Sequence, residues 1–316
     1  MTATIQVPRI ATAEHVRFFV DNGYLILPGL ITPPELDELK ADTAKVARGG
    51  YPCESITPLP ADMSDREVQR NVLCIHQPHY ISPVMESYVK HVKICGVLSQ
   101  ITAAHLPWWD GSVKCMQSML FVKPPGFQGQ AWHQDEIYIP TRDRSLIGAW
   151  IAIDDATTAN GCLYVIPGSH KQGYLYPQKK HDNEEEWDFA NTSHGFDESA
   201  KVAVEVKAGS VVFFNGYLLH CSFKNRTTDS YRRVLVNHYM NAWSLLPWQV
   251  RQGETSANAD RRCVLPVAGT DPYAWKGYEQ PPNNVHLRTC KANRDQVDPN
   301  ADHLGAGKKP QVVASK

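Results

Sequence analysis

From residue 113 to about 245 the chain breaks into short apolar runs, most of them closed by glycine or proline. Lys114–Lys123 ends at Pro124-Pro125-Gly126. Ile147–Ile153 and Cys162–Ile166 follow, the second closed by Pro167-Gly168. Val202–Val206 is a weaker run. Ser210–Phe214 leads into the turn Asn215-Gly216, Leu218–Ser222 comes after it, and Arg233–Met240 is the last clear run. Many short apolar strands with this punctuation predict an all-β sandwich or barrel.

The first third reads differently. Thr32-Pro-Pro-Glu35 is a capping box with proline in the first turn, and Leu36, Leu39, Thr43 and Val46 follow at helical spacing until Gly49-Gly50. Ser82-Pro83 starts a second helical stretch, which resumes through Val97, Leu98 and Ile101 and ends by Pro107. The expected class is therefore mostly β with α, the helices packing outside the β core. One domain is expected over 1–295: a helical part over about 12–110, a β core over about 113–245 and an extension over 246–295, with 296–316 as a tail. The polar stretch Gly173–Ala200 reads equally as a lid or a solvated excursion. Tyr273, Trp275 and Tyr278 form an aromatic patch expected to dock on the barrel.

A formal net charge of −1 over 316 residues leaves no basic footprint for nucleic acid and no polybasic membrane surface. No apolar run is long enough to span a bilayer. The eight cysteines include no C-x-x-C pair, so neither a zinc ribbon nor a redox pair is expected. Met1–Glu14 holds no apolar core behind a basic start, and a reduced, cytoplasmic setting is expected.

The chemistry concentrates at Trp132-His133-Gln134-Asp135. In extended backbone, residues two apart share a face, so His133 and Asp135 point the same way. A third ligand has to come from elsewhere, and His220, at the end of an apolar run, is the best candidate. Two imidazoles and one carboxylate fill one face of an octahedral metal and leave the other positions open, as in non-haem Fe(II) oxygenases. On its own the H-x-D triplet is weak evidence, more often a pair of polar residues in a strand-end loop. Twelve residues after His220 come Arg232 and Arg233, and a buried guanidinium binds a carboxylate bidentately. Ser222 shares a strand face with His220 and could add a hydroxyl.

Together these residues carry a resemblance. Gln117-Ser-Met-Leu-Phe-Val-Lys-Pro-Pro125, Ala131-Trp-His-Gln-Asp-Glu136, Ile147-Gly-Ala-Trp-Ile-Ala-Ile153, Asn160-Gly-Cys-Leu-Tyr-Val-Ile-Pro-Gly-Ser-His170 and the His220-to-Arg233 block are similar to the phytanoyl-CoA dioxygenase family of Fe(II)/2-oxoglutarate-dependent oxygenases. The resemblance spans about 20–245. It implies a double-stranded β-helix, a jelly roll of cupin-like form, with the metal inside one end. It implies iron on His133, Asp135 and His220, the distal carboxylate of 2-oxoglutarate on Arg232 with Ser222 beside it, and a pocket wall from Trp150, Gln117 and Met119. The spacing from His220 to the arginine pair is one residue longer than in many relatives, so Arg233 stays open as the alternative to Arg232. Adjacent strand residues face opposite ways, so only one of the two can serve.

Blander readings stand beside these. Trp150 is also a core residue, Ser222 could bond its own backbone, and Lys123 reads as an ordinary strand-end lysine. His170 reads as a turn residue, His76 and His79 as exposed histidines around Pro78, and Cys221 as core.

The resemblance implies Fe(II), 2-oxoglutarate and O2, with hydroxylation of a C–H bond in a small-molecule substrate and release of succinate and CO2. The carboxylate of Asp135 favours hydroxylation over halogenation, because halogenases of this fold carry a small residue there. No nucleic acid or membrane partner is expected. The alternatives are a non-catalytic metal-binding barrel and a protein side-chain hydroxylase. Neither the substrate nor the oligomeric state can be read from the sequence.

Overall fold

The computed structural model describes residues 4–70, 72–248, 250–279 and 285–289. Helix α1 (Ala13–Asn22) leads into β1 (Tyr24–Leu27), followed by α2 (Pro33–Ala47), α3 (Asp65–Arg70), β2 (Val72–His76), α4 (Pro83–Val89) and α5 (Val92–Ile101). Then come β3 (Val113–Lys123), β4 (Gln130–His133), β5 (Ile147–Ala152) and β6 (Leu163–Val165). The hairpin of β7 (Gln178–Lys179) and β8 (Thr192–Ser193) follows, then β9 (Val202–Val204), β10 (Val211–Asn215), β11 (His220–Ser222) and β12 (Arg232–Asn241). β13 (Leu265–Ala268) and β14 (His286–Thr289) close the described chain. The predicted helix starts hold. The Glu35 carboxylate accepts from both the amide and the hydroxyl of Thr32, and Ser82 Oγ caps the Met85 amide.

Two antiparallel sheets face each other. The larger runs β1-β10-β5-β12-β3-β2-β14, with β13 also on β3; the smaller runs β4-β11-β6-β9. This is the jelly-roll arrangement expected. Alternation along each strand builds two cores. Leu235, Leu120, Val122, Phe213 and Ile151 point outward and pack on the helices. Val234, Val236, Trp150, Val212 and Phe214 point inward against Val165 and Val204 of the smaller sheet.

Several expectations need correcting. The N-terminal third is not purely helical: β1 and β2 lie within it and join the larger sheet. The insert after Gly173 is no solvated excursion, because it carries the β7–β8 hairpin and docks on β4. Tyr273 does dock, its hydroxyl on the Trp243 carbonyl, and Tyr278 reaches Asp271, but Trp275 is 80% exposed. The 296–316 tail lies outside the described residues. Among those residues, no helix is long and apolar enough to cross a membrane, and the cysteines other than Cys290, which lies outside them, are free.

Candidate metal centre and its pocket

β4 and β11 are neighbours in the smaller sheet, and their register sets His133 directly opposite His220. The two rings lie 4.1 Å apart between centroids. Gln134 keeps extended backbone, so Asp135, which opens a short helical turn, still shares the face of His133. Asp135 Oδ1 is 3.6 Å from Nε2 of each histidine, and the three ligand atoms lie within 4.8 Å of one another.

The donor set fits a divalent transition metal. His133 Nδ1 donates to the Ala131 carbonyl at 2.7 Å, and His220 Nδ1 to the Leu218 carbonyl at 2.9 Å. A carbonyl can only accept, so in each neutral ring the proton sits on Nδ1 and Nε2 offers a lone pair. Burial, helped by the neighbouring His220, pushes His133 down to about 4, which keeps that ring neutral. Burial by itself would raise Asp135, but the imidazoles of His220, His238 and His133 outweigh it and hold the carboxyl well below the usual range. With both rings neutral, three lone-pair donors thus converge on one point. Two nitrogens and one oxygen are the ligand types of iron, not of a thiolate site.

Gln134, between the ligands, is fully buried and acts as a brace. Its amide donates to the carbonyls of Tyr174 and Tyr217 and accepts from the Tyr176 amide. The insert is therefore bonded to the ligand segment itself. It also pairs with β14 through Asp188 and Arg288 at 3.7 Å, and Asp188 N–H donates to Gly129, just ahead of β4.

The inward face of the larger sheet supplies the rest of the pocket. Register places Gln117 opposite His238, Met119 opposite Val236, and Lys123 opposite Arg232. Trp150 lies on the same face, its ring 5.6 Å from the Arg232 guanidinium carbon. Arg233 faces the other way and is occupied: it donates to Asp154 at 2.7 and 2.8 Å and to Gln69.

Arg232 is 4% exposed, and among the described residues its guanidinium has neither a hydrogen bond nor an ion pair; its Nε is a buried donor without a partner. Burial pulls its pKa down to about 10, which leaves it charged near neutrality.

Lys123, read as an ordinary strand-end lysine, is also 4% exposed. Its ammonium donates to the Phe223 carbonyl at 2.7 Å, Ser222 Oγ at 3.0 Å and the Gly161 carbonyl at 3.4 Å. Burial and then the adjacent Arg232 depress its pKa well below the ordinary range. Ser222 does not bond its own backbone; its oxygen accepts from Lys123 and from the Gln130 amide. Both interactions use its lone pairs, so the hydroxyl proton stays free to donate.

His76 and His79 are 2% and 7% exposed, against the expectation of surface histidines. His76 lies on β2 opposite Met119, on the pocket face. His79 bonds Ser118 behind the sheet. His170 is the turn residue expected, bonded to the Val20 carbonyl, and Cys221 is core. Sequence reasoning missed Lys123 and His238 as pocket residues. Parity was the available signal: 117, 119 and 123 are all odd, while 232 and 238 are both even, so alternation puts each set on one face.

The chain is similar to known proteins in sequence and in fold. The family model for phytanoyl-CoA dioxygenase (PhyH) matches residues 19–234. Phytanoyl-CoA dioxygenase 1 of Oryza sativa subsp. japonica is 27% identical over 278 residues, 76% of this chain and 94% of that protein. The Arabidopsis thaliana phytanoyl-CoA dioxygenase is 40% identical over 116 residues, which span 36% of this chain and 40% of that protein. Among solved structures, the epimerase SnoN in complex with Fe3+, alpha ketoglutarate and nogalamycin RO superposes with a TM-score of 0.57 at 17% identity. That match covers 87% of this chain and 97% of that one, a likeness of fold.

Proposed function

The chain belongs to the phytanoyl-CoA dioxygenase family and is a non-haem iron, 2-oxoglutarate-dependent oxygenase; from that premise we propose that it hydroxylates a C–H bond of a small molecule, with His133, Asp135 and His220 as the iron ligands. When bound with 2-oxoglutarate and O2, the iron supplies the oxidising power that releases CO2, leaves succinate and delivers one oxygen atom to substrate. The protein's own part is placement. His133, Asp135 and His220 would hold the metal and leave room for further ligands.

The observation that carries the reading is the pair Arg232 and Lys123. Arg232 is a buried guanidinium that no hydrogen bond or ion pair among the described residues satisfies, and Lys123 Nζ, held by two carbonyls and Ser222 Oγ, lies beside it on the inward face. An uncompensated buried charge costs several kcal/mol, so a site kept this way favours an anionic ligand. The distal carboxylate of 2-oxoglutarate fits that role. Arg232 offers its fork, Ser222 its free proton, and Trp150 a flat wall. Lys123 does not reach out itself; it fixes Ser222. Gln117 and Met119 line the same face toward His76, which we assign to the substrate side. The docked insert, bonded to Gln134 and paired to β14, supports a small molecule over a polypeptide.

Anaerobic titration of the metal-free protein with Fe(II) and 2-oxoglutarate tests this. A visible charge-transfer band requiring both components, and lost in His133→Ala and Arg232→Ala, is expected. Iron binding with no response to 2-oxoglutarate would sink the assignment of these residues.

A further inference from the structure

We infer that His238 is a positioning residue for the metal centre: it clamps the second oxygen of Asp135 so that only the first is presented to the iron. The inference rests on the triad reading above and concerns a residue outside it.

His238 lies in the middle of β12, 4% exposed, between Gln117 of β3 and Gly148 of β5. Its Nε2 is 3.1 Å from Asp135 Oδ2. His133 and His220 approach the other oxygen, Oδ1, each at 3.6 Å. The two carboxylate oxygens therefore have separate duties. A carboxylate with both oxygens free can swing to grip a metal with both, which would use up an open coordination position. A hydrogen bond to Oδ2 prevents that and fixes the plane of the carboxylate.

The strand position beside His238 is occupied by a neighbouring aromatic ring. A β-carbon at Gly148 would fall 2.4 Å from the Phe214 ring, so the absence of a side chain there admits Phe214. That ring also stands 4.8 Å from His220. One aromatic side chain thus backs a ligand and fills the strand position beside His238.

The slot also carries a penalty that an apolar residue would avoid. Asp135 is ionised and can only accept, so Nε2 of His238 has to donate. The other nitrogen, Nδ1, is buried and has no partner. A leucine would satisfy packing between two strands without leaving a stranded polar atom. What it could not do is hold Asp135. Groups that orient metal ligands typically contribute tenfold to a hundredfold in metal affinity.

The test uses the full-length protein and measures Fe(II) affinity anaerobically by competition with a chromogenic chelator, together with the Co(II) d–d spectrum as a signature of coordination. His238→Leu is expected to bind Fe(II) about 10 to 100 times more weakly with an altered Co(II) spectrum, while still unfolding cooperatively in urea. His238→Gln, which keeps an N–H donor, is expected to recover most of the affinity and the wild-type spectrum. Wild-type affinity in His238→Leu overturns the inference. Equal weakness in both variants, with both folded, also overturns it and makes the role one of shape. Failure of the wild-type protein to bind Fe(II) would instead overturn the triad, and with it any role for His238.

Discussion

Arg232 and Arg233 are neighbours on β12 and face opposite ways. Arg233 is neutralised by Asp154, whereas Arg232 turns inward beside Lys123. Removing a buried charge that binds a carboxylate costs roughly 2–5 kcal/mol. Arg232→Ala is therefore expected to raise the 2-oxoglutarate KM by that equivalent, and Arg233→Ala to leave it nearly unchanged; steady-state kinetics on the two variants would reverse the assignment if the effects were exchanged. Lys123→Met should raise the same KM by a smaller factor, about tenfold, the equivalent of ~1.4 kcal/mol for a lost charge-assisted bond to Ser222. An unchanged KM would make Lys123 a purely structural lysine. His133, Asp135 and His220 could be singled out in the sequence by residue type and by the family resemblance, and Arg232 only as one of an adjacent pair with Arg233. Lys123 could not be, because a lysine before two prolines is commonplace; only the pairing of β3 with β12 shows that it is enclosed.

At the level of elements, the metal ligands depend on the insert. Gln134 bonds Tyr174, Tyr176 and Tyr217 while its neighbours His133 and Asp135 are the proposed metal ligands. Gln134→Leu would strand two carbonyls and an amide, and each unsatisfied buried group costs about 1–3 kcal/mol. Expected are a lowered urea midpoint and weakened Fe(II) binding in the same variant. A normal midpoint with normal binding would show that the brace is dispensable. The core strands and helix starts could be read from the sequence, since apolar runs and capping residues are local signals. The strands β1 and β2 could not: each is short, lies among helices, and is a strand because β10 or β3 offers it an edge. The insert was ambiguous for the same reason, its order coming from contacts with β4 and β14 that no local pattern encodes.

For the molecule as a whole, pH enters through buried histidines. Burial pushes His79 down to about 4, against about 6.5 in an unfolded chain. The unfolded state then takes up a proton first as pH falls. The stability contribution is complete above pH 6.5 and is lost progressively toward pH 4, by at most roughly 3 kcal/mol. Urea midpoints at pH 7.5 and pH 5 should converge more in His79→Gln than in the wild type; identical pH slopes would remove His79 from the account. The larger sheet, meanwhile, is bordered by β1 at residues 24–27 on one side and by β14 at residues 286–289 on the other. Its inner strands come from the sequence between. A growing polypeptide holding all three ligands, His133, Asp135 and His220, still lacks β12 and with it Arg232 and His238, and the edge of β2 stays uncovered until some sixty residues further on have been synthesised. Pairings this distant in sequence form slowly and leave strand edges exposed meanwhile. Synthesis of this protein therefore passes through a stage in which a metal could meet its ligands before the walls that discipline its reactivity exist, and chaperone protection would matter most during that interval.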